Sequence, residues 1–225
     1  EAERNGQKGV DDDGNGYVDD IYGMNFVTNG PISWNKEYWV AGQNKGDSGH
    51  GTHVAGTVAA VNNNGKGVAG IAGGSGKGDG VRLMSCQIFS GEDMNKTGSA
   101  VAIARAIRYA ADMGAAIIQC SYGYSSGRFV SDNQYTSLSS LEKESIDYFT
   151  KHKANCPALS YGNLAIFASG NDAAPRSASP GAYRDYISVT AFAPNFMPAY
   201  YTNFGPGCNI AAPGGDYLIA VDKSR

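Results

Sequence analysis

Two segments of the 225-residue sequence carry side chains whose types and spacing could do chemistry. The first is Asp47-Ser48-Gly49-His50-Gly51-Thr52-His53-Val54-Ala55-Gly56. A histidine flanked by glycines at a helix start can approach a nucleophile closely, because the neighbouring backbone carries no bulk, and imidazole suits proton transfer near neutral pH. Two other readings fit the same residues. One is a solvent-exposed histidine at a helix start; the other is a metal pair, since His50 and His53 share one helical face. Two ligands do not make a zinc site, and the one remaining histidine is His152. The second segment runs from Gly9 to Asp20. Counting Asp11 as first, oxygen ligands fall at the third position (Asp13), the fifth (Asn15) and the ninth (Asp19). Gly16 provides the sharp turn and Tyr17 can offer its backbone carbonyl. This is the spacing by which a loop wraps Ca2+, although the twelfth position is Tyr22 rather than glutamate, so no EF-hand is claimed. The expected structural calcium ligands are therefore Asp11, Asp13, Asn15, Tyr17 and Asp19, with a solvated acidic turn as the other reading.

The elements that must position these groups read as alternating strands and helices. Residues 50–61 form an expected helix that begins at His50. Residues 62–80 hold eight glycines and are expected to be loop, with a short apolar strand at 68–71. A buried strand is expected at 81–89. Residues 99–113 give the best helix, with Ser99 as N-cap and Gly114 as its stop. Strands are further expected at 115–120, 164–168, 186–191 and 208–211, and an amphipathic helix at 141–153. Short apolar strands alternating with helices indicate an α/β fold with a mainly parallel sheet and helices on both faces, in one domain spanning 1–225.

Composition narrows the function classes. Lys and Arg number 18 against 21 Asp and Glu, for a net charge of −3, and no basic cluster stands out, so neither nucleic acid nor an anionic membrane is an expected partner. No apolar run is long enough to span a membrane. Glycine, at 31 residues, is about twice as frequent as the roughly 7% average and lies scattered between apolar runs, which points to many tight turns. The cysteines Cys86, Cys120, Cys156 and Cys208 are too few and too widely spaced for a disulfide scaffold or a metal site. Cys86 and Cys120 are expected on neighbouring strands as a buried thiol pair. Gly65-Lys66-Gly67-Val68-Ala69-Gly70 follows a helix where a nucleotide site needs a strand, and Gly76-Lys77 lacks the rest of a P-loop.

The run His50-Gly51-Thr52-His53-Val54-Ala55-Gly56 resembles the histidine motif of the subtilisin-like serine proteases. Three further segments resemble that family's landmarks in the same order: Ala116-Ile117-Ile118-Gln119-Cys120-Ser121-Tyr122-Gly123, Ile166-Phe167-Ala168-Ser169-Gly170-Asn171, and Tyr201-Thr202-Asn203-Phe204-Gly205 through Ala211-Ala212-Pro213-Gly214. The resemblance implies that His50 is the general base and that Asn171, in a turn opened by Gly170, donates to the oxyanion. It implies that Ser121, Gly123 and Gly170 line the cleft for an extended polypeptide substrate. It also implies a cis bond before Pro180, a calcium-binding role for the acidic insertion, a weaker calcium loop at Asn62-Asn63-Asn64-Gly65, and a secreted or cell-surface location.

The sequence departs from the family pattern in two places. No apolar strand runs into an Asp-Thr-Gly or Asp-Ser-Gly turn before His50, and no Gly-Thr-Ser-Met-Ala motif follows Gly214. The expectation is that the aspartate and serine motifs lie outside the chain, making it the central, inactive portion of a subtilisin-like serine endopeptidase. The alternative is a calcium-stabilised peptide-binding pseudoprotease. Oligomeric state is not legible in the sequence.

Overall fold

The computed structural model describes residues 2–34, 47–89, 99–153 and 156–216. They form an α/β fold whose backbone contacts divide into two compact units, Glu1–Ala106 and Ile107–Arg225.

In the first unit a one-turn helix α1 (Ala2–Asn5) precedes the acidic loop, then strands β1 (Gly23–Asn25) and β2 (Gly30–Pro31), helix α2 (His50–Ala59) and strand β3 (Ser85–Gln87). The sheet order is β2-β1-β3, with β1 antiparallel to β2 and parallel to β3. Gly23 sits at φ 119°, and a Cβ there would run into the Ser85 carbonyl, so the β1–β3 approach requires glycine. The Asn25 side chain, fully buried, closes the β1–β2 turn by accepting from Val27 N (2.9 Å) and Thr28 N (3.1 Å).

The strand expected at 68–71 does not form. Val68 and Ile71 are exposed, and the backbone N–H groups of Gly70, Ile71 and Ala72 donate instead to the carbonyls of Ala60, Thr57 and Val58 at 2.8–2.9 Å. The last-turn carbonyls of α2 have no partners within the helix, and this segment satisfies them. A Cβ at Gly70 or Gly73 would collide with the backbone of residues 59–60, which is why glycine occupies both positions.

Helix α3 (Ala100–Asp112) begins as the sequence indicates, with Ala102 N donating to Ser99 Oγ at 3.2 Å, and it stops at Gly114, φ 81°. It straddles the boundary of the two units. The second unit continues with β4 (Ile117–Cys120), α4 (Asp132–Leu138), α5 (Ser140–Lys151), β5 (Leu164–Ala168), β6 (Ile187–Phe192) and β7 (Ile210–Pro213). Its sheet has the order β4-β5-β6-β7 and every pair is parallel. Ile118 and Cys120 on β4, and Ala165 and Phe167 on β5, alternate inward. Ile146 and Phe149 of α5 are fully buried, and full burial of side chains of this size contributes about 1.5–3 kcal/mol each.

Helix α4 is absent from the sequence reading because its seven residues bury only Tyr135 and carry no apolar stripe. Strand β3 pairs with β1 in the first unit and β4 with β5 in the second, and neither Cys86 nor Cys120 forms a disulfide. The Ser179-Pro180 bond is cis.

Glu142, at the start of α5, is 1% exposed. Its carboxylate accepts from the phenols of Tyr122 (3.2 Å), Tyr124 (3.2 Å) and Tyr135 (3.1 Å). Burial pushes this carboxyl above the ordinary carboxylate range, while the phenol hydrogen bonds pull it back down.

Candidate functional site

Strands β4 and β5 are adjacent and parallel, in the register Cys120 opposite Phe167, so the segments that leave their C-terminal ends emerge side by side. These segments are Ser121 to Gly123 after β4 and Ser169 to Asn171 after β5. In open parallel sheets this edge is where ligands bind. Ser121 Oγ accepts from Gln119 Nε2 at 2.6 Å. Gly123 is exposed and lies against the Ser179 carbonyl, which would be 3.1 Å from any Cβ at that position, and the neighbouring Tyr124 N donates to the same oxygen at 2.9 Å. Absence of a side chain at 123 therefore permits the approach of the 179–180 segment and leaves the outer backbone uncovered.

At the end of β5, Ser169 N still bonds to Val189 O (2.9 Å) on β6, after which Gly170 swings to φ 109° and lifts the chain out of the sheet. A side chain at 170 would be strained by that angle and would collide with the Asn203 amide. Asn171 follows, exposed, and lines an open cleft of about 650 Å3 together with Tyr200, Tyr201, Gly214, Gly215 and Asp216. Tyr201 OH donates to Gly214 O at 2.8 Å, and Tyr200 N to Asp216 Oδ2 at 3.0 Å, so the far wall is braced by its own hydrogen bonds. Asp172 accepts from Ser126 N at 2.8 Å, and hydrogen bonds from the Ser126 hydroxyl and N–H hold its carboxyl below the ordinary value. This contact ties the loop after β4 to the turn after β5.

His50 belongs to the first unit and opens α2. The Gly49 N-cap adopts φ 75°, a left-handed conformation cheap for glycine, and its carbonyl accepts His53 N at 2.9 Å. His50 N donates to Ser48 Oγ at 3.3 Å, and both His50 and His53 are exposed.

In the acidic loop, ligand-capable oxygens of Glu3, Asp11 and Asp13 lie within 4.8 Å of one another. Three carboxylates so close repel one another unless a cation or protons neutralise them, so this donor set fits a hard divalent ion. Glu3 was not among the residues suggested by the loop spacing; its signal is an acidic residue in the short segment just before the loop. It is buried, and its two oxygens accept the N–H groups of Asp12 (2.7 Å), Asp13 (3.3 Å) and Asp19 (3.0 Å). Asp11 accepts from Asn15 N (3.1 Å) and Gly16 N (2.8 Å), which fixes the turn at Gly16, φ 90°. The other expected ligands take part in the loop's own bonding: Asn15 Oδ1 accepts Tyr17 N (2.7 Å), and Asp19 Oδ2 accepts Gly9 N (2.9 Å).

Comparison with known proteins adds to this geometry. The sequence profile of the subtilase family matches residues 10–224. Subtilisin-like protease 1 of Plasmodium berghei is 28% identical over 222 residues, covering 98% of this chain and 30% of that protein. A thermophilic serine proteinase of a Bacillus species is 31% identical, over 78% of this chain and 37% of its own length. An extracellular protease of Xanthomonas campestris is 36% identical, over 78% of this chain and 27% of its own. Among solved structures, a protease from Pseudoalteromonas arctica superposes with a TM-score of 0.58 at 29% identity, over 82% of this chain and 50% of that one. A lanthipeptide protease, at 19% identity and a TM-score of 0.59, shares the fold. The chain thus spans about a third of the curated relatives' length. Among the described residues no helix is long and apolar enough to cross a membrane.

Proposed function

We propose that this chain, which belongs to the subtilase family, supplies the base and the oxyanion-binding parts of a secreted or cell-surface serine endopeptidase domain. The aspartate and serine of the triad would come from sequence beyond these residues. The observation that carries the reading is the turn at Gly170 and Asn171: an exposed carboxamide, set at the C-terminal end of a parallel strand, facing an open cleft.

In this reading an extended polypeptide pairs with the uncovered backbone at Gly123, alongside Ser121, while Gly170 leaves room for the scissile carbonyl. His50 takes the proton of the serine hydroxyl as that oxygen attacks the carbonyl carbon. The negative charge that develops on the carbonyl oxygen accepts a hydrogen bond from the Asn171 side-chain amide. His50 then returns its proton to the leaving amine. Donors prearranged for this charge are worth about 10²–10³ in rate, the figure established for the corresponding subtilisin asparagine. Calcium, where bound, neutralises the carboxylates of Glu3, Asp11 and Asp13 and holds the segment before β1 in place.

The test is to express the full-length protein and assay cleavage of a fluorogenic peptide. Labelling by a fluorophosphonate, and its loss in His50→Ala, are expected. A full-length protein that binds peptide but neither cleaves it nor labels would replace this reading with the pseudoprotease one.

A further inference from the structure

We propose that Asn203 is a positioning residue for the oxyanion turn, its buried carboxamide fixing where Asn171 stands. The assignment rests on the reading of Asn171 as the oxyanion donor. Asn203 is fully buried and lies thirty-two residues further along the chain. Its Oδ1 accepts Asp172 N at 2.9 Å and Ala174 N at 3.1 Å. Its Nδ2 donates to Ser169 O at 2.8 Å and to Ser126 Oγ at 2.5 Å. Two acceptor lone pairs and two N–H donors are all that a primary amide has, and here each is used. The Asn203 main chain adds a fifth bond to the same turn, from its N–H to Gly170 O at 3.2 Å.

The partners are residues 169, 170, 172 and 174. They bracket position 171 on both sides and leave its own side chain exposed. A turn that leaves the sheet at φ 109° has lost its ladder partners, and one buried amide supplies replacements for them. The clamp is anchored in the sheet: Thr190 Oγ1 on β6 donates to Asn203 O at 2.6 Å, and Ala191 N to the hydroxyl of the preceding Thr202 at 2.8 Å. Through Ser126 the same amide also reaches the loop that follows Ser121 and Gly123. No other side chain reproduces this set. Aspartate has no donor, glutamine is one methylene too long, and leucine leaves every partner unpaired in a buried site. An oxyanion donor works only if it is held where the charge will form, so loosening of the turn should appear in turnover rather than in substrate affinity.

Two measurements test this. In the full-length protein, kcat and KM are determined for Asn171→Ala, Asn203→Ala and the double variant. Asn171→Ala is expected to lower kcat by about 10²–10³. Asn203→Ala should lower it at least about tenfold with little change in KM, and should cost less than about threefold more when Asn171 is already gone, because residues that act as a unit are non-additive. In the same variant the Asp172 and Ala174 amides should exchange hydrogen faster while β5 and β6 keep their protection. Unchanged exchange at 172 and 174, or fully additive losses in kcat, overturns the positioning role. An Asn171→Ala variant with normal kcat overturns the oxyanion reading itself and needs no Asn203 variant to show it. If Asn203→Ala does not fold, Ser126→Ala removes one partner alone; it should give a smaller kcat loss of the same non-additive kind, and an unaltered kcat there counts against the assignment.

Discussion

Replacing Glu142 by Gln should change how stability depends on pH, and the sign follows from the cluster's geometry. The carboxyl is 1% exposed, and its charge is met by three phenols at 3.1–3.2 Å and, among the described residues, by no cation. Burial is the dominant influence and raises its pKa above the ordinary 4.5. The folded state then holds the proton more tightly than the unfolded chain does. Below the unfolded value the contribution of this group to stability is fully present, and it is lost as pH rises through the folded value. Within that window the loss approaches about 1.4 kcal/mol per pH unit. Glutamine keeps one acceptor oxygen and has no proton to lose, so the native protein should gain stability relative to Glu142→Gln on acidification and lose it again as pH rises through the folded value. Taking the difference cancels carboxylates of opposite behaviour such as Asp172. Removing the acceptor altogether, with Glu142→Ala, takes it from the fully buried Tyr135 phenol, for a loss of about 1–3 kcal/mol from that group alone. Urea unfolding followed by tyrosine and tryptophan fluorescence from acid to neutral pH measures both effects. A difference independent of pH, or one that grows toward low pH in favour of the variant, refutes the reasoning.

Gly170→Ala should destabilise the protein by more than about 1 kcal/mol, because it combines a positive φ with a collision against Asn203; a melting temperature equal to that of the native protein would contradict this. Calcium should raise the melting temperature, with stabilisation of about 2.7 kcal/mol at a hundredfold excess over its dissociation constant, and Asp11→Asn with Asp13→Asn should abolish the shift seen by scanning calorimetry. The Cys86 thiol, pushed up to about 12 by burial, should be almost wholly protonated at pH 8, with about 10⁻⁴ present as thiolate; labelling by a disulfide reagent in native protein should leave Cys86 unmodified, and mass spectrometry of the peptide checks it.

Elements whose ends carry local signals were legible in the sequence. Helix α3 has a serine cap, an apolar face and a glycine stop, and β5 is a pure apolar run, so both could be placed without tertiary information. The strand expected at 68–71 fails because periodicity cannot tell an apolar strand from a segment recruited to cap a helix, and that choice depends on where α2 ends. Strands β1 and β2 escape notice because two or three residues containing Gly, Asn and Pro give no pattern; pairing alone defines them. The candidate site divides in the same way. His50 and Asn171 stand in recognisable local motifs. Asn203 stands in one too, but its role consists of bonds to residues about thirty and seventy-seven positions away, which no local spacing encodes. Glu3 joins Asp11 and Asp13 by folding back, outside any loop consensus.

The capping of α2 by Gly70, Ile71 and Ala72 turns that helix into a ruler fixed at one end. Its far turn is pinned through main-chain bonds from Gly70, Ile71 and Ala72. One residue inserted between Gly51 and Thr57 would rotate His50 by about 100° and advance it by about 1.5 Å, with the whole displacement delivered to the imidazole. Length is what this part of the chain has to keep.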